Sequence, residues 1–304
     1  MVNRNESLIN EAKKSKKLPN FIWALVLSMI FMYGGSLIGG FGILPIYLSL
    51  SIISYFKSNQ ELLYLLISLL SFVFISLVVF FRVIKIEKRK LSSIGFYKNN
   101  WLKKYAFGFA IGIAMMSLVV LILFLFGCVT VETNDIQPIG GSAILPICII
   151  LIGWIIQGGT EEILTRGWLM NVLGARYNVA IGLIISSAFF GLLHLGNDNV
   201  SIIAILNITL VGIFFGLYVI KTNDLWAVCG MHSAWNFAQG NLFGFEVSGI
   251  DTSVGTLVDL NLVGNNFISG GIFGPEAGFG ATIVLLAGIF IIYVLDKKGK
   301  FNTY

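Results

Sequence analysis

The sequence predicts an all-α, polytopic membrane protein of about eight transmembrane helices, forming one integral domain over 1–304, on three observations. Of the 304 residues, 57% are hydrophobic and only 12% charged, with a mean hydropathy of +0.88; a soluble domain runs at about 45–50% apolar. Apolar runs of about 20 residues, enough to cross a bilayer as a helix, recur along the whole chain. The short alternating segments of a transmembrane β-barrel are not seen.

Residues 1–20 form a basic N-terminus, with Lys13, Lys14, Lys16 and Lys17 just before the first apolar run. A secretory signal also begins with a charged stretch. Here the apolar run is too long and shows no small-residue cleavage site, so a retained first helix is expected. That run, 21–55, exceeds one straight span, and its Gly34-Gly35 and Gly39-Gly40 pairs predict a break or a strong tilt. Further spans are expected near 61–83, 105–128, 143–171, 178–198, 200–220, 225–244 and 279–295. The segment 245–278 is rich in Gly and Asn, carries "GPEAGFG", and predicts an irregular extracytoplasmic lid or plug. No internal repeat and no phosphate-binding glycine loop is found.

The net charge of +5 is no sign of nucleic acid, because the basic residues border apolar runs. Arg82, Lys85, Lys88, Arg89, Lys90, Lys98, Lys103 and Lys104 lie between the second and third spans, Arg176 between the fourth and fifth, Lys221 between the sixth and seventh, and Lys297, Lys298 and Lys300 after the last. The other loops hold acids: Glu132, Asp135, Asp198, Glu246, Asp251, Asp259 and Glu276. Eight spans with both termini cytoplasmic, in the cell membrane, put every basic loop inside. Cys128, Cys148 and Cys229 are odd in number, fit no disulfide or metal spacing, and read as packing residues.

Chemistry concentrates in the fourth, fifth and seventh runs. A charge inside a span costs about 2.5–3.5 kcal/mol on the insertion scale, yet "QGGTEEILTRGW" (157–168) places Glu161, Glu162 and Arg166 in the fourth. Four residues apart, Glu162 and Arg166 share a helix face, while Glu161 points about 100° away from Glu162. The pair leaves one carboxylate spare, suited to act as a general base. The chain's two histidines are His194, in "FFGLLHLGN", and His232, in "GMHSAWNF"; Asn236 follows His232 at helical spacing. A glutamate, two imidazoles and an amide suffice to activate a water and hold an oxyanion.

The succession "EEILTR", "FGLLH", "HSAWN" resembles the three motifs of the CPBP family, the CAAX prenyl endopeptidase and bacteriocin-processing (Abi) proteins, which are intramembrane glutamic endopeptidases. The order matches, as do the Glu-Glu-x-x-x-Arg, Phe-x-x-x-His and His-x-x-x-Asn spacings, over a protease-like core at 143–244 in helices 4 to 7. The resemblance implies that Glu161 and His194 activate the attacking water and that His232 and Asn236 stabilise the oxyanion. It makes Glu162 and Arg166 a supporting ion pair and Phe190 an aromatic packing against the site. It implies no cofactor and no metal. The partners it implies are the lipid bilayer and a peptide or membrane-protein substrate: a CAAX-type tail, or a peptide pheromone or bacteriocin in maturation or immunity.

Rival readings use the same residues. Glu161, His194 and His232 are a set that can hold zinc, though the H-E-x-x-H helix is missing. Cys229 lies three residues from His232, but nothing else supports a thiol nucleophile. A non-catalytic immunity or regulatory protein would use the polar cavity to bind, and a transporter would use it as an ion path, without the inverted repeat of many transporters. Straight spans also set the two histidines on the order of 10 Å apart in depth, which a catalytic site does not tolerate. A short, tilted fifth helix, a sunken "HLGNDN", or a bend at Gly158-Gly159 would each remove the conflict.

Overall fold

The computed structural model describes residues 7–132 and 137–303, with side chains to 301. Asp135, assigned above to an outer loop, lies outside the described residues, as do residues 1–6 of the basic N-terminus. The described residues are mainly helical. A short helix α1 (Leu8–Lys13) precedes the first long helix α2 (Phe21–Gly42), followed by α3 (Leu44–Ser51) and α4 (Ser54–Ser58). Long helices α5 (Gln60–Ile86), α6 (Trp101–Leu125), α7 (Gly140–Arg176), α8 (Val179–Gly196) and α9 (Ile202–Thr222) come next. Then come α10 (Trp226–Phe237), a four-residue α11 (Asn266–Ser269) and α12 (Phe279–Lys297). Among the described residues the one sheet is an antiparallel pair, β1 (Val129–Val131) with β2 (Leu260–Leu262).

Seven of these helices are long and apolar enough to cross a membrane. The eighth expected span, α10, is shorter, extended by a π turn over Ala238–Leu242. It is also the most enclosed: every residue from Ala227 to Asn241 is buried. Helix α10 sits between α6 and α7, and glycines let them approach. A Cβ at Gly108 would run into the Ala227 backbone, one at Gly112 into the Met231 carbonyl, and one at Gly230 into the Tyr105 carbonyl. Small residues at such crossings bring helices together where lipid supplies no hydrophobic drive.

The glycine pairs in the first run do not break it. Helix α2 passes through a π turn at Ile30–Gly34 and continues, and Gly35 and Gly39 take the close approach of Ile75 and Ser71 in α5. The chain turns only at Ile43, where α3 begins. Gly158-Gly159 does not bend α7 either, since the helix is regular from Ile144 to Glu162. Gly158 instead lies against the Ser233 backbone, where a Cβ would meet the amide nitrogen at 2.8 Å.

The depth conflict disappears for a different reason in each helix. Helix α8 is short: its α-helical part, Val179–Leu193, ends in a 3-10 turn at His194–Gly196. Measured from the α7–α8 turn, Glu161 and His194 are both about 22 Å away at 1.5 Å per residue. The α7–α8 hairpin also overshoots the start of α10. A Cβ on Gly167 would meet Leu225 at 3.3 Å and the Ile94 carbonyl at 3.4 Å, so α10 begins about 13 Å short of Arg176. A polar layer marks this level: Trp168 donates its indole N–H to Glu87 at 2.9 Å, and Arg82 and Arg89 flank the same carboxylate at 3.2 and 2.9 Å. Helix α1 closes it from outside, with Ile9 on Gly174 and the Leu8 N–H on the Asn223 side chain.

Candidate active site

Two adjacent glutamates divide their work, as their angular separation on a helix requires. Glu162 is fully buried and faces α10. Its Oε1 accepts from Arg166 Nη1 at 2.8 Å and from His232 Nδ1 at 2.8 Å. A seven-residue π turn, Ile163–Leu169, begins directly after it and carries Arg166; such turns are frequent at functional sites. The guanidinium lies over Phe190, 4.4 Å from the ring centroid, and 5.7 Å from that of Phe215. Nη1 is also 2.7 Å from Thr165 Oγ1, whose hydroxyl donates to the Glu161 carbonyl at 2.6 Å. Nε and Nη2 have no hydrogen-bond partner; cation–π contact with the two rings offsets part of that cost.

Glu161 points the other way. Its Oε1 accepts from Gln157 Nε2 at 2.7 Å. Its Oε2 is buried and accepts no hydrogen bond, with His232 Nε2 3.5 Å away. Because Nδ1–H of His232 is committed to Glu162, Nε2 and Glu161 Oε2 form a pair able to share one proton. On the far side, His194 Nδ1–H donates to the Phe190 carbonyl at 2.9 Å, which leaves Nε2 as the basic atom of the neutral ring. The Phe190 ring is the common surface of the cluster. The His194 and His232 rings pack edge-on against it, with centroids 5.0 and 5.9 Å away.

A cavity of about 150 Å³ opens between these groups. Glu161, Gln157, His194 and Asn236 form its polar wall, with Asn197 and Ser248, while Met32, Leu65, Leu69 and Phe72 form an apolar one. Asn236 Nδ2 donates to Gln157 Oε1 at 2.9 Å, so Gln157 ties the amide to the spare carboxylate. A wider depression of about 330 Å³, lined by Phe21, Tyr177, Ile181, Ile184 and Ile185, lies on the apolar outer face and holds no acid or base of this cluster.

The structure therefore gathers all seven residues singled out by sequence: Glu161, Glu162, Arg166, Phe190, His194, His232 and Asn236. One contact differs from the arrangement that the resemblance implies. His232 stands behind Glu161, hydrogen-bonded to Glu162, and is not on the cavity wall beside Asn236. Among the described residues, no three His, Cys, Asp or Glu side chains are placed to hold a metal ion. Sequence reasoning passed over Gln157, although its four-residue offset from Glu161 was the available signal. It also passed over Phe215, an aromatic in an apolar helix with no signal at all.

Residues 143–238 match the family model described as Type II CAAX prenyl endopeptidase Rce1-like. The matched segment contains every residue of the cluster, from Gln157 to Asn236, and stops short of the loop that supplies Ser248. No curated protein and no solved structure matches the chain.

Proposed function

We propose, from the CPBP-family core carried at residues 143–238, that this membrane protein is a CAAX-type intramembrane protease with a glutamic mechanism. The observation that carries the mechanism is the unpartnered Glu161 Oε2, a buried oxygen on the wall of the cavity that His194 and Asn236 also line. An unsatisfied buried acceptor calls for an explanation, and a water donating to it supplies one. That water gives one proton to the Glu161–His194 pair as its oxygen bonds to the scissile carbonyl carbon. Negative charge collects on the carbonyl oxygen, where Asn236 donates the N–H that Gln157 does not use. His232 sits one layer back and sets the charge on Glu161. Collapse breaks the C–N bond, and the proton held by the pair passes to the leaving amine. A positioned general base contributes about 10²–10⁴-fold.

The substrate in this reading is a membrane-proximal peptide or protein segment, with a peptide pheromone or bacteriocin precursor as the preferred type. The basic flanks favour both termini on the cytoplasmic side and the 245–278 loop outside. The decisive experiment compares wild type, Glu161→Gln and His194→Ala in lipid nanodiscs on a panel of membrane peptides, followed by mass spectrometry. Cleavage by wild type that drops at least about 100-fold in both variants is the expected result. Equal cleavage by Glu161→Gln would overturn the mechanism. A membrane phenotype that persists in both variants would favour a binding or immunity protein.

A further inference from the structure

The loop marked as a lid contains a carboxylate that this mechanism does not use. Glu276, in "GPEAGFG", is only 8% exposed. Its Oε1 accepts from both the backbone N–H and the hydroxyl of Ser248, each at 2.7 Å. Its Oε2 accepts the Trp235 indole N–H at 3.2 Å. Both partners adjoin the site. Ser248 lines the cavity, and its carbonyl accepts from Asn197 Nδ2 at 2.9 Å. The Asn197 N–H in turn donates to the His194 carbonyl at 3.1 Å, closing the 3-10 turn. Trp235 stands in α10 between His232 and Asn236.

Ser248 has a φ of 54°, a left-handed conformation that non-glycine residues adopt reluctantly. Two short hydrogen bonds to one carboxylate oxygen hold it there, and bonds to a charged acceptor are the stronger kind. The Glu276 end is anchored as well, because its own carbonyl accepts from Asn207 Nδ2 of α9 at 2.9 Å. This carboxylate thus joins the turn carrying His194 to the helix carrying His232 and Asn236, and both Glu276 and Ser248 lie outside the family-matched segment.

We infer that Glu276 is a positioning residue, which sets the spacing across the cavity through Ser248 and Asn197 on one side and Trp235 on the other. The inference rests on the endopeptidase reading for its kinetic consequence. Misplacing a reacting group by about 1 Å can cost on the order of 100-fold, so the effect belongs in kcat and not in KM.

The test uses the full chain in nanodiscs, with Glu276→Ala, Glu276→Gln and Asn197→Ala, and two measurements. One is kcat and KM on a peptide that wild type cleaves; the other is hydrogen exchange of the backbone amides at 194–199. Glu276→Ala should speed exchange there and lower kcat on the order of 10–100-fold, with KM little changed. A glutamine carbonyl still accepts from Ser248 but presents N–H to the indole, so Glu276→Gln should restore the slow exchange while leaving kcat reduced. Asn197→Ala cuts the same connection from its other end and should speed exchange in the same way. Wild-type exchange in both alanine variants, or a kcat within twofold of wild type, overturns the inference. If wild type cleaves no peptide, the endopeptidase reading fails, and the exchange comparison alone decides whether Glu276 holds the His194 turn.

Discussion

Replacing Arg166 by methionine takes away the guanidinium that Glu162 faces at 2.8 Å and leaves a fully buried carboxylate with His232 as its remaining partner. Breaking a buried ion pair from one side costs about 3–5 kcal/mol, and losing the contact with Phe190 and Phe215 adds about 1 kcal/mol. Against this, Arg166 Nε and Nη2 are already unpartnered; removing two such groups returns roughly 1–3 kcal/mol each. The net destabilisation is about 1 kcal/mol. At roughly 2–4 °C per kcal/mol, the unfolding temperature should fall by about 2–4 °C, read from tryptophan fluorescence in nanodiscs. The double variant Glu162→Gln/Arg166→Met should recover much of the loss, because glutamine still accepts the His232 Nδ1–H and leaves no bare charge. An Arg166→Met protein as stable as wild type would refute the reasoning, and so would a double variant worse than the two single ones combined.

Glu161→Gln should keep its bond from Gln157 and unfold within about 0.5 kcal/mol of wild type, while peptide cleavage falls about 10²–10⁴-fold; an inactive but equally stable protein is the signature. Gly108→Leu should lower the unfolding temperature by an amount equivalent to about 1–3 kcal/mol, because its side chain enters the Ala227 backbone, whereas Gly34→Ala, with nothing within 4 Å of the new Cβ, should not. The Glu246 carboxyl, in the loop after α10, is pushed above the usual carboxylate range by burial, with Asp251 adding to the shift. A raised acid stabilises the fold most below its unfolded pKa, and that contribution is lost as pH rises through the folded pKa. Unfolding temperature should therefore decline with rising pH across that interval, and Glu246→Gln should flatten this part of the curve.

The membrane class and most of the long helices were legible because apolar length marks them, although seven helices and not the expected eight reach the length of a span; the residues of the cluster stood out as charge and imidazole where both are costly. The angle between consecutive helical residues sufficed to separate Glu161 from Glu162. The relative depth of the helices was not legible. It depends on α10 starting at the level of Gly167 and on the α-helical part of α8 ending at Leu193, and the first of these follows from contacts between segments distant in sequence. The glycines misled for a related reason. In lipid, a glycine inside a span serves close helix packing more readily than a bend, and Gly35, Gly39 and Gly158 all serve it. The loop residues Ser248 and Glu276 were hidden because a polar residue in a Gly-rich loop looks solvated until its partners are known.

The cluster also explains why α10 tolerates complete enclosure. A histidine and an asparagine on a buried helix each need a fixed partner, and α7 supplies both from one stretch: Glu162 for His232 and Gln157 for Asn236. Among the buried carboxylate oxygens of this cluster, Glu161 Oε2 and Glu162 Oε2 are left without a hydrogen bond. Glu162 remains beside Arg166, so its charge is compensated, while Glu161 lines the cavity that His194 also lines, with His232 Nε2 3.5 Å from its Oε2. In the proposed mechanism the packing that stabilises the bundle and the arrangement that prepares a water are the same set of hydrogen bonds, so a substitution at Gln157 should disturb activity through α10 before it unfolds the protein.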